Sequence, residues 1–314
     1  MSKLQHYIDC IEKIVARGIV DSKVFDTCIY KRNFPLHQKL FYYNWLGKWP
    51  DFENPQDLNQ AMLALSIKLR DDATKAPLIA KCVDKYAVRE YIESKGYGYT
   101  LNEVYGVYDD VDAIVWEDLP DSFVMKMTNA SGRNLIIPDK AACREKFEKA
   151  KENFREWLKD DSFGRHSGEW QYALIKPRIV IEKYLSELGE QSIIDYKFNC
   201  FKGKVDSCFV AYGRNPDNPH GEVNFDDYDL DWNLTDHIKD SWHKERRTLP
   251  KPKCFDEMVR MAEDCSAGFD FCRFDLYEIA GRIVFGEMTF TPQGCIQEFY
   301  TDDYLREKGR LLKV

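Results

Sequence analysis

Residues 271–294, FCRFDLYEIAGRIVFGEMTFTPQG, carry the densest set of side chains that could do chemistry in this 314-residue chain. The alternation of apolar and polar residues on either side of Gly281 reads as a β-hairpin. With Ala280, Gly281 and Arg282 as a three-residue loop, Ile279 faces Ile283, Asp275 lies opposite Glu287 and Arg273 lies opposite Thr289. Phe274, Leu276, Val284, Met288 and Phe290 then share a core face, while Arg273, Asp275, Glu287 and Thr289 share the other; a two-residue loop breaks that separation. Two directly opposed carboxylates, with Cβ atoms about 5 Å apart, repel each other and need something positive between them. Oxygen donors without His or Cys suit magnesium, or manganese, which completes its shell with phosphate and water. Arg273 as a permanent structural salt bridge is the alternative.

Upstream, the strand Phe123-Val124-Met125-Lys126 runs into Thr128-Asn129-Ala130-Ser131-Gly132-Arg133. A small, polar loop of this kind lets backbone N–H groups approach phosphate oxygens, and the lysine supplies a point charge. An ordinary polar turn has the same composition. The strand Ile179 to Leu185 ends in a polar turn with Glu187 and Glu190, which could offer main-chain groups to an adenine edge and a carboxylate to ribose hydroxyls. On the next strand Asp195 and Lys197 share one face, with Tyr196 and Phe198 on the other.

The elements that must position these groups follow from pattern. Leu4, Ile8, Ile11 and Val15 fall on one helical face and predict core packing. A second helix is expected from Asn54-Pro55 to about Arg70, and a third from about Pro77 to Lys95, with Lys85 inside it and Gly96 ending it. Strands near 100–107 and 122–127 and a charged helix over 140–158 then predict a mixed α/β sheet. Strands at 178–185, 192–201 and 205–212 read as antiparallel neighbours, with a tight turn at Lys202-Gly203. Residues 213–252 read as a polar loop or lid, whose Asp226, Asp227, Asp229 and Asp231 are expected to be solvated.

Composition narrows the classes. With 44% hydrophobic and 14% aromatic residues the chain can bury a large core in two or three lobes. A net charge of −8 argues against nucleic acid as partner. Ten cysteines without a Cys-x-x-Cys pair read as reduced, buried thiols rather than zinc ligands or disulfides. Residues 1–21 lack the pattern of a secretory signal and no apolar run approaches a membrane span, so a cytoplasmic location is expected.

Five stretches carry a resemblance: DKYAVREYIESKG at 84–96, LPDSFVMKMTNASGRN at 119–134, EWQYALIKPRIVIEKYL at 169–185, DYKFNCFKGK at 195–204 and GFDFCRFDLYEIAGRIVFGEMTFTPQG at 268–294. With ENPQDLNQAM at 53–62 they cover most of the chain. In this order they resemble the ATP-grasp superfamily, specifically its TupA-like branch of teichuronopeptide type from bacterial polysaccharide loci. The resemblance implies an α/β (α+β) ATP-grasp fold, two lobes gripping ATP behind a helical N-terminal region at 1–80. The small lobe with its phosphate flap is expected at 81–180, and the C-terminal lobe with hinge and metal-binding hairpin at 181–314.

It further implies that Lys85 and Lys126 contact the ATP phosphates beneath a flap at Asn129 to Arg133, including Ser131 and Gly132. Glu182, Lys183, Tyr184 and Leu185 resemble the adenine hinge, with Glu187 or Glu190 on the ribose; strand alternation with Asp195 lets Lys197 look into the same cleft. Asp275 and Glu287 resemble the magnesium ligands, and Arg273 the arginine that holds the transferring phosphate. Thr289 stands where many ATP-grasp ligases have Asn as a further ligand, and its hydroxyl is a neutral oxygen of shorter reach.

The activity implied is amide formation: a carboxylate attacks the γ-phosphate of ATP, and an amine intercepts the acyl phosphate. Lys126 and Arg273 would stabilise the charge on the transferring phosphoryl group. The substrates implied are a small-molecule or glycan-linked carboxylate, such as a uronic acid or amino acid unit of a surface or capsular polysaccharide, and an amine. Competing readings are an ATP-dependent sugar kinase, a non-catalytic nucleotide-binding protein, and a glycosyltransferase using Asp229 and Asp231 as an Asp-x-Asp metal pair. The sequence leaves the oligomeric state open.

Overall fold

The computed structural model describes residues 12, 14–185, 193–213, 223–242 and 248–312. Two antiparallel sheets organise them: a small one ordered β1-β4-β2-β3 and a large one ordered β7-β6-β5-β8-β9. The small sheet consists of β1 (Val104–Tyr108), β2 (Phe123–Met127), β3 (Asn134–Ile137) and β4 (Ile179–Lys183). One of its faces buries Phe123, Met125, Met127, Ile179 and Ile181 with Phe147 and Phe154 of the helix Arg144–Lys159. Period-two alternation sends Val124, Lys126, Val180 and Glu182 to the opposite face.

The large sheet comprises β5 (Asp195–Phe201), β6 (Lys204–Tyr212), β7 (Asn224–Tyr228), β8 (Phe271–Ile279) and β9 (Arg282–Thr289). The helix Phe255–Ser266 contacts β5, β6 and β8, and its Phe255, Met258, Met261 and Cys265 are buried with Phe198, Phe274 and Leu276 in one core. Arg273, Asp275, Lys197 and Asp195 alternate onto the other face. The described cysteines are all free thiols, and no helix of the described residues is long and apolar enough to cross a membrane.

Several boundaries differ from the pattern reading for local reasons. The second helix starts at Leu58, because Asp57 caps it by accepting from the Gln60 N–H at 2.9 Å. The third is two helices, Lys75–Val83 and Val88–Ser94. Asp84 turns extended (ψ 118°) between them and its carboxylate caps the second by accepting from the Tyr86 and Ala87 N–H groups, so Lys85 sits in the break and not inside a helix. Leu4, Ile8 and Ile11 lie outside the described residues, and Val15 is exposed where core packing was expected, Ala16 and Val20 being buried instead. Strand β4 belongs to the small sheet, so only β5 and β6 of the three strands expected to be neighbours pair with each other, through the turn at Lys202 (φ 51°) and Gly203 (φ 75°).

The supposed acidic loop also contains a strand. Asp226 and Asp227 are buried in β7, where Tyr212 donates to Asp226 at 2.7 Å and Ser207 to Asp227 at 3.0 Å. Asp229 closes a local loop, accepting from both the backbone and side-chain amides of Asn233.

The β8–β9 hairpin reaches its expected pairing by another route. Ala280 (φ 50°) and Gly281 (φ 73°) make a two-residue turn, so Ile279 pairs with Arg282 and Leu276 with Phe285. A bulge at Gly286 then absorbs one residue and sets Asp275 opposite Glu287 and Arg273 opposite Thr289. The bulge requires glycine, since a Cβ there would lie 2.8 Å from the Asp275 carbonyl oxygen. It also exchanges the faces of the turn-proximal half: Ile283 and Phe285 are buried, and Val284 is not part of the core face.

Candidate active site

The paired acids sit at the centre of a charged network on the face of the large sheet opposite the helix Phe255–Ser266. Arg273 donates to both oxygens of Asp275, from Nε at 2.8 Å and Nη2 at 2.7 Å, and Nη2 also reaches Glu287 at 3.1 Å. Lys197, directly across on β5, donates to Asp275 at 2.6 Å and lies 3.8 Å from Asp195. The Thr289 hydroxyl donates to Glu287 at 3.2 Å and accepts from Arg273 at 3.3 Å.

Burial works against every charge here, so each must be answered by its neighbours. It pushes the Asp275 carboxyl up, but Arg273 and Lys197 more than offset this and hold its pKa below the usual carboxylate value. It likewise disfavours the Arg273 cation, and Asp275, Glu287 and Asp195 reverse the effect, raising its pKa. The Asp275 side chain is 1% exposed, against 42% for Glu287. Both of these hydrogen bonds to Glu287 fall on Oε1, which leaves Oε2 able to accept another donor or a cation.

The lysines approach from the small sheet. Lys126 pairs with Glu182 at 2.7 Å across the β2–β4 ladder. Lys85 donates from Nζ to the Ala130 carbonyl, and its backbone N–H to Thr128 at 3.1 Å, tying the helix break to the β2–β3 loop. Burial lowers its pKa, Glu287 raises it, Lys126 lowers it and Glu182 raises it, with a net downward shift. Lys85 thus lies in the fields of both the large-sheet hairpin and the small-sheet pair. Arg178, at the start of β4, fixes Asp84 at 3.3 Å and braces the same break.

Other predicted residues fall elsewhere. Ser131 and Gly132 form the exposed tip of the β2–β3 loop, with Gly132 at φ 72° and room around it for a Cβ. Arg133 turns away: it pairs with Asp160 and lies over the rings of Phe163 and Trp157. At the expected hinge, the Glu182 carboxylate is taken by Lys126 and the Lys183 carbonyl by Asn102 Nδ2 at 2.9 Å, while Tyr184 and Leu185 follow half-buried. Glu187 and Glu190 lie outside the described residues.

Pattern reading missed Glu169. Its carboxylate accepts from Ser167 at 2.6 Å and from Thr291 at 3.4 Å, and burial raises its pKa despite those bonds, Glu287 adding to the rise and Arg273 opposing it. It lies in an irregular segment, where no period marks it.

Among the described residues no three His, Cys, Asp or Glu side chains form a metal-holding group. Both Asp275 oxygens are taken by Arg273 and Lys197, so a divalent ion would meet Glu287 directly and Asp275 only once those cations turn to phosphate, with its remaining ligands from the Thr289 hydroxyl, phosphate and water. The all-oxygen donor set and the half-open Glu287 fit magnesium in that role. Two carboxylates, four cationic side chains and a loop of backbone N–H groups can together hold and polarise a polyphosphate.

A family model described as TupA-like ATPgrasp matches residues 63–313. No curated protein matches the chain. Among solved structures, D-alanine–D-alanine ligase from Bacillus anthracis is 14% identical, covering 70% of this chain and 65% of that one with a TM-score of 0.42. L-amino acid ligase from Bacillus licheniformis is 14% identical, covering 73% and 47% with a TM-score of 0.41. A D-cycloserine synthetase is 18% identical, covering 76% and 72% with a TM-score of 0.40. The chain thus spans less than two thirds of the first two ligases, and none of the three is similar enough to assign a substrate to it.

Proposed function

The chain belongs to the TupA-like ATP-grasp family, and we propose that it uses ATP to join a carboxylate to an amine through an acyl phosphate. The observation that carries this reading is the charged network of Arg273, Asp275, Glu287 and Lys197 on the large sheet, with Lys85 of the helix break feeling the charges of both Glu287 and the Lys126–Glu182 pair of the small sheet. In this reading Lys85 and Lys126 hold the phosphates, and the β2–β3 loop from Asn129 to Gly132 covers them. Glu182 to Leu185 receive the adenine and Glu190 the ribose. Asp275 and Glu287, with Thr289 beside them, would hold magnesium, which would supply positive charge that lowers the repulsion between the phosphates and the attacking carboxylate.

The reaction then needs no nucleophilic side chain. A substrate carboxylate oxygen attacks the γ-phosphorus, ADP leaves, and the amine attacks the acyl carbon and expels phosphate. Arg273 gains most as charge accumulates on the transferring phosphoryl oxygens, because its guanidinium is already desolvated and oriented by Asp275. Exclusion of water by the β2–β3 loop protects the acyl phosphate from hydrolysis.

The family resemblance supports a uronic acid or amino acid unit of a bacterial surface glycan as the carboxylate, by analogy. Hydroxylamine trapping tests the chemistry: carboxylate- and ATP-dependent hydroxamate is expected. ADP release with a phosphorylated sugar and no hydroxamate would replace the ligase with a kinase.

A further inference from the structure

Resting on the ligase reading, we infer that Glu169, Gln171 and Gln38 form the site that receives the amine substrate as its ammonium, which passes one proton to the Glu169 carboxylate so that the freed lone pair can attack the acyl carbon. Three segments distant in sequence build it. Thr291, two residues beyond Thr289 on the outgoing end of β9, accepts from Gln171 Nε2 at 2.6 Å and donates to Glu169. Two residues of chain span at most about 7 Å, so Thr291 ties Glu169 to the end of β9 that carries Glu287 and Thr289. Glu287 and Arg273 both perturb its carboxyl.

What the cluster lacks identifies its ligand. Gln171 is 1% exposed, and its Oε1 has no hydrogen-bond partner. Gln38 is fully buried on the helix Phe34–Leu46, with neither amide atom partnered. Its amide lies against the backbone of Gly168, between Ser167 and Glu169: a Cβ on Gly168 would be 1.6 Å from Gln38 Nε2. Buried amide atoms left unpaired are costly and uncommon, which points to a polar group completed by a ligand. Ser167 and Glu169 are only half-buried, so the cluster opens to solvent.

The unpartnered atoms are Gln171 Oε1, Gln38 Oε1 and Gln38 Nε2, and the Glu169 oxygens, each accepting one hydrogen bond, keep a further lone pair, so acceptors outnumber donors. An ammonium carries three N–H donors and no acceptor and matches this set, whereas a carboxylate or phosphate would meet like charge at Glu169.

The test compares two nucleophiles in the full-length protein with ATP and magnesium. One is whichever cationic amine, from a panel of free amino acids and diamines, gives the fastest ADP release with wild type. The other is hydroxylamine, which is uncharged at neutral pH. Glu169→Gln is expected to lower kcat/KM for the cationic amine by about 10–100-fold, the worth of a charged hydrogen bond, and to lower hydroxamate formation at least tenfold less. Gln171→Ala, which leaves Glu169 in place, is expected to raise the amine KM about fivefold with a smaller change in kcat. Equal losses for both nucleophiles, or no change in the amine KM in either variant, would overturn the assignment. If wild type yields hydroxamate, those results indict only the amine site. If wild type yields neither product nor ADP with any pair, the ligase reading itself fails and this inference falls with it.

Discussion

Asp275 and Asp227 are each 1% exposed and lie in the same large sheet, linked by the cross-strand partners Lys197 and Phe209. Their surroundings differ in kind. Asp275 is answered by two cations, Arg273 and Lys197. Asp227 is answered by the hydroxyls of Ser207 and Thr235 and by His237 Nδ1 at 2.6 Å. Hydroxyl donors set in strands and loops fix a chain segment, here β7 and the turn at 229–237 that returns to it. Cations on long side chains can exchange one anion for another, so under the proposed function the Asp275 network would open to a nucleotide while the Asp227 network keeps its segment fixed.

The largest expected contrast is in turnover. Arg273→Ala should lower kcat about 1000-fold while changing the ATP KM less than tenfold, measured by ADP release. Asp227→Ala should instead cost about 2–3 kcal/mol of stability in urea unfolding, because three donors lose their acceptor, with kcat within about twofold of wild type. A loss of turnover in Asp227→Ala that matched Arg273→Ala at equal stability would erase the distinction.

A smaller contrast lies in pH. The Asp275 carboxyl is held below its ordinary value, so the folded state binds fewer protons there than the unfolded chain. Its contribution to stability is present above the unfolded carboxyl pKa of about 3.9 and is lost as pH falls through the folded value. Asp275→Asn should therefore be less stable than wild type at neutral pH, with the gap in urea midpoint shrinking below about pH 4.

The difference between the two aspartates was only half legible in sequence. Facing acids at 275 and 287 could be read from alternation, although the assumed three-residue loop was wrong: a two-residue turn and a bulge at Gly286 restore the same pairing. Asp226 and Asp227 looked solvated because a polar stretch gives no sign that hydroxyls on β6 will bury them. Lys85 was hidden within unbroken helical periodicity, since the Asp84 cap that interrupts the helix depends partly on Arg178, far along the chain. Arg133 was misplaced for the same reason, its partner Asp160 lying beyond the helix Arg144–Lys159. Short-range pattern thus recovered the pairing of Asp275 with Glu287 and of Arg273 with Thr289 but not the register and faces next to the turn, and the pairings set by long-range contacts required the fold.

Calorimetric binding of a non-hydrolysable ATP analogue, with and without magnesium, to wild type and Glu287→Gln tests the charged network around Glu287 most directly. Magnesium should tighten binding to wild type at least about tenfold, and most of that gain should vanish in the variant, because a carboxylate ligand to a bound ion is lost. Equal magnesium enhancement in both proteins, or none in either, would contradict a metal–nucleotide site at these acids.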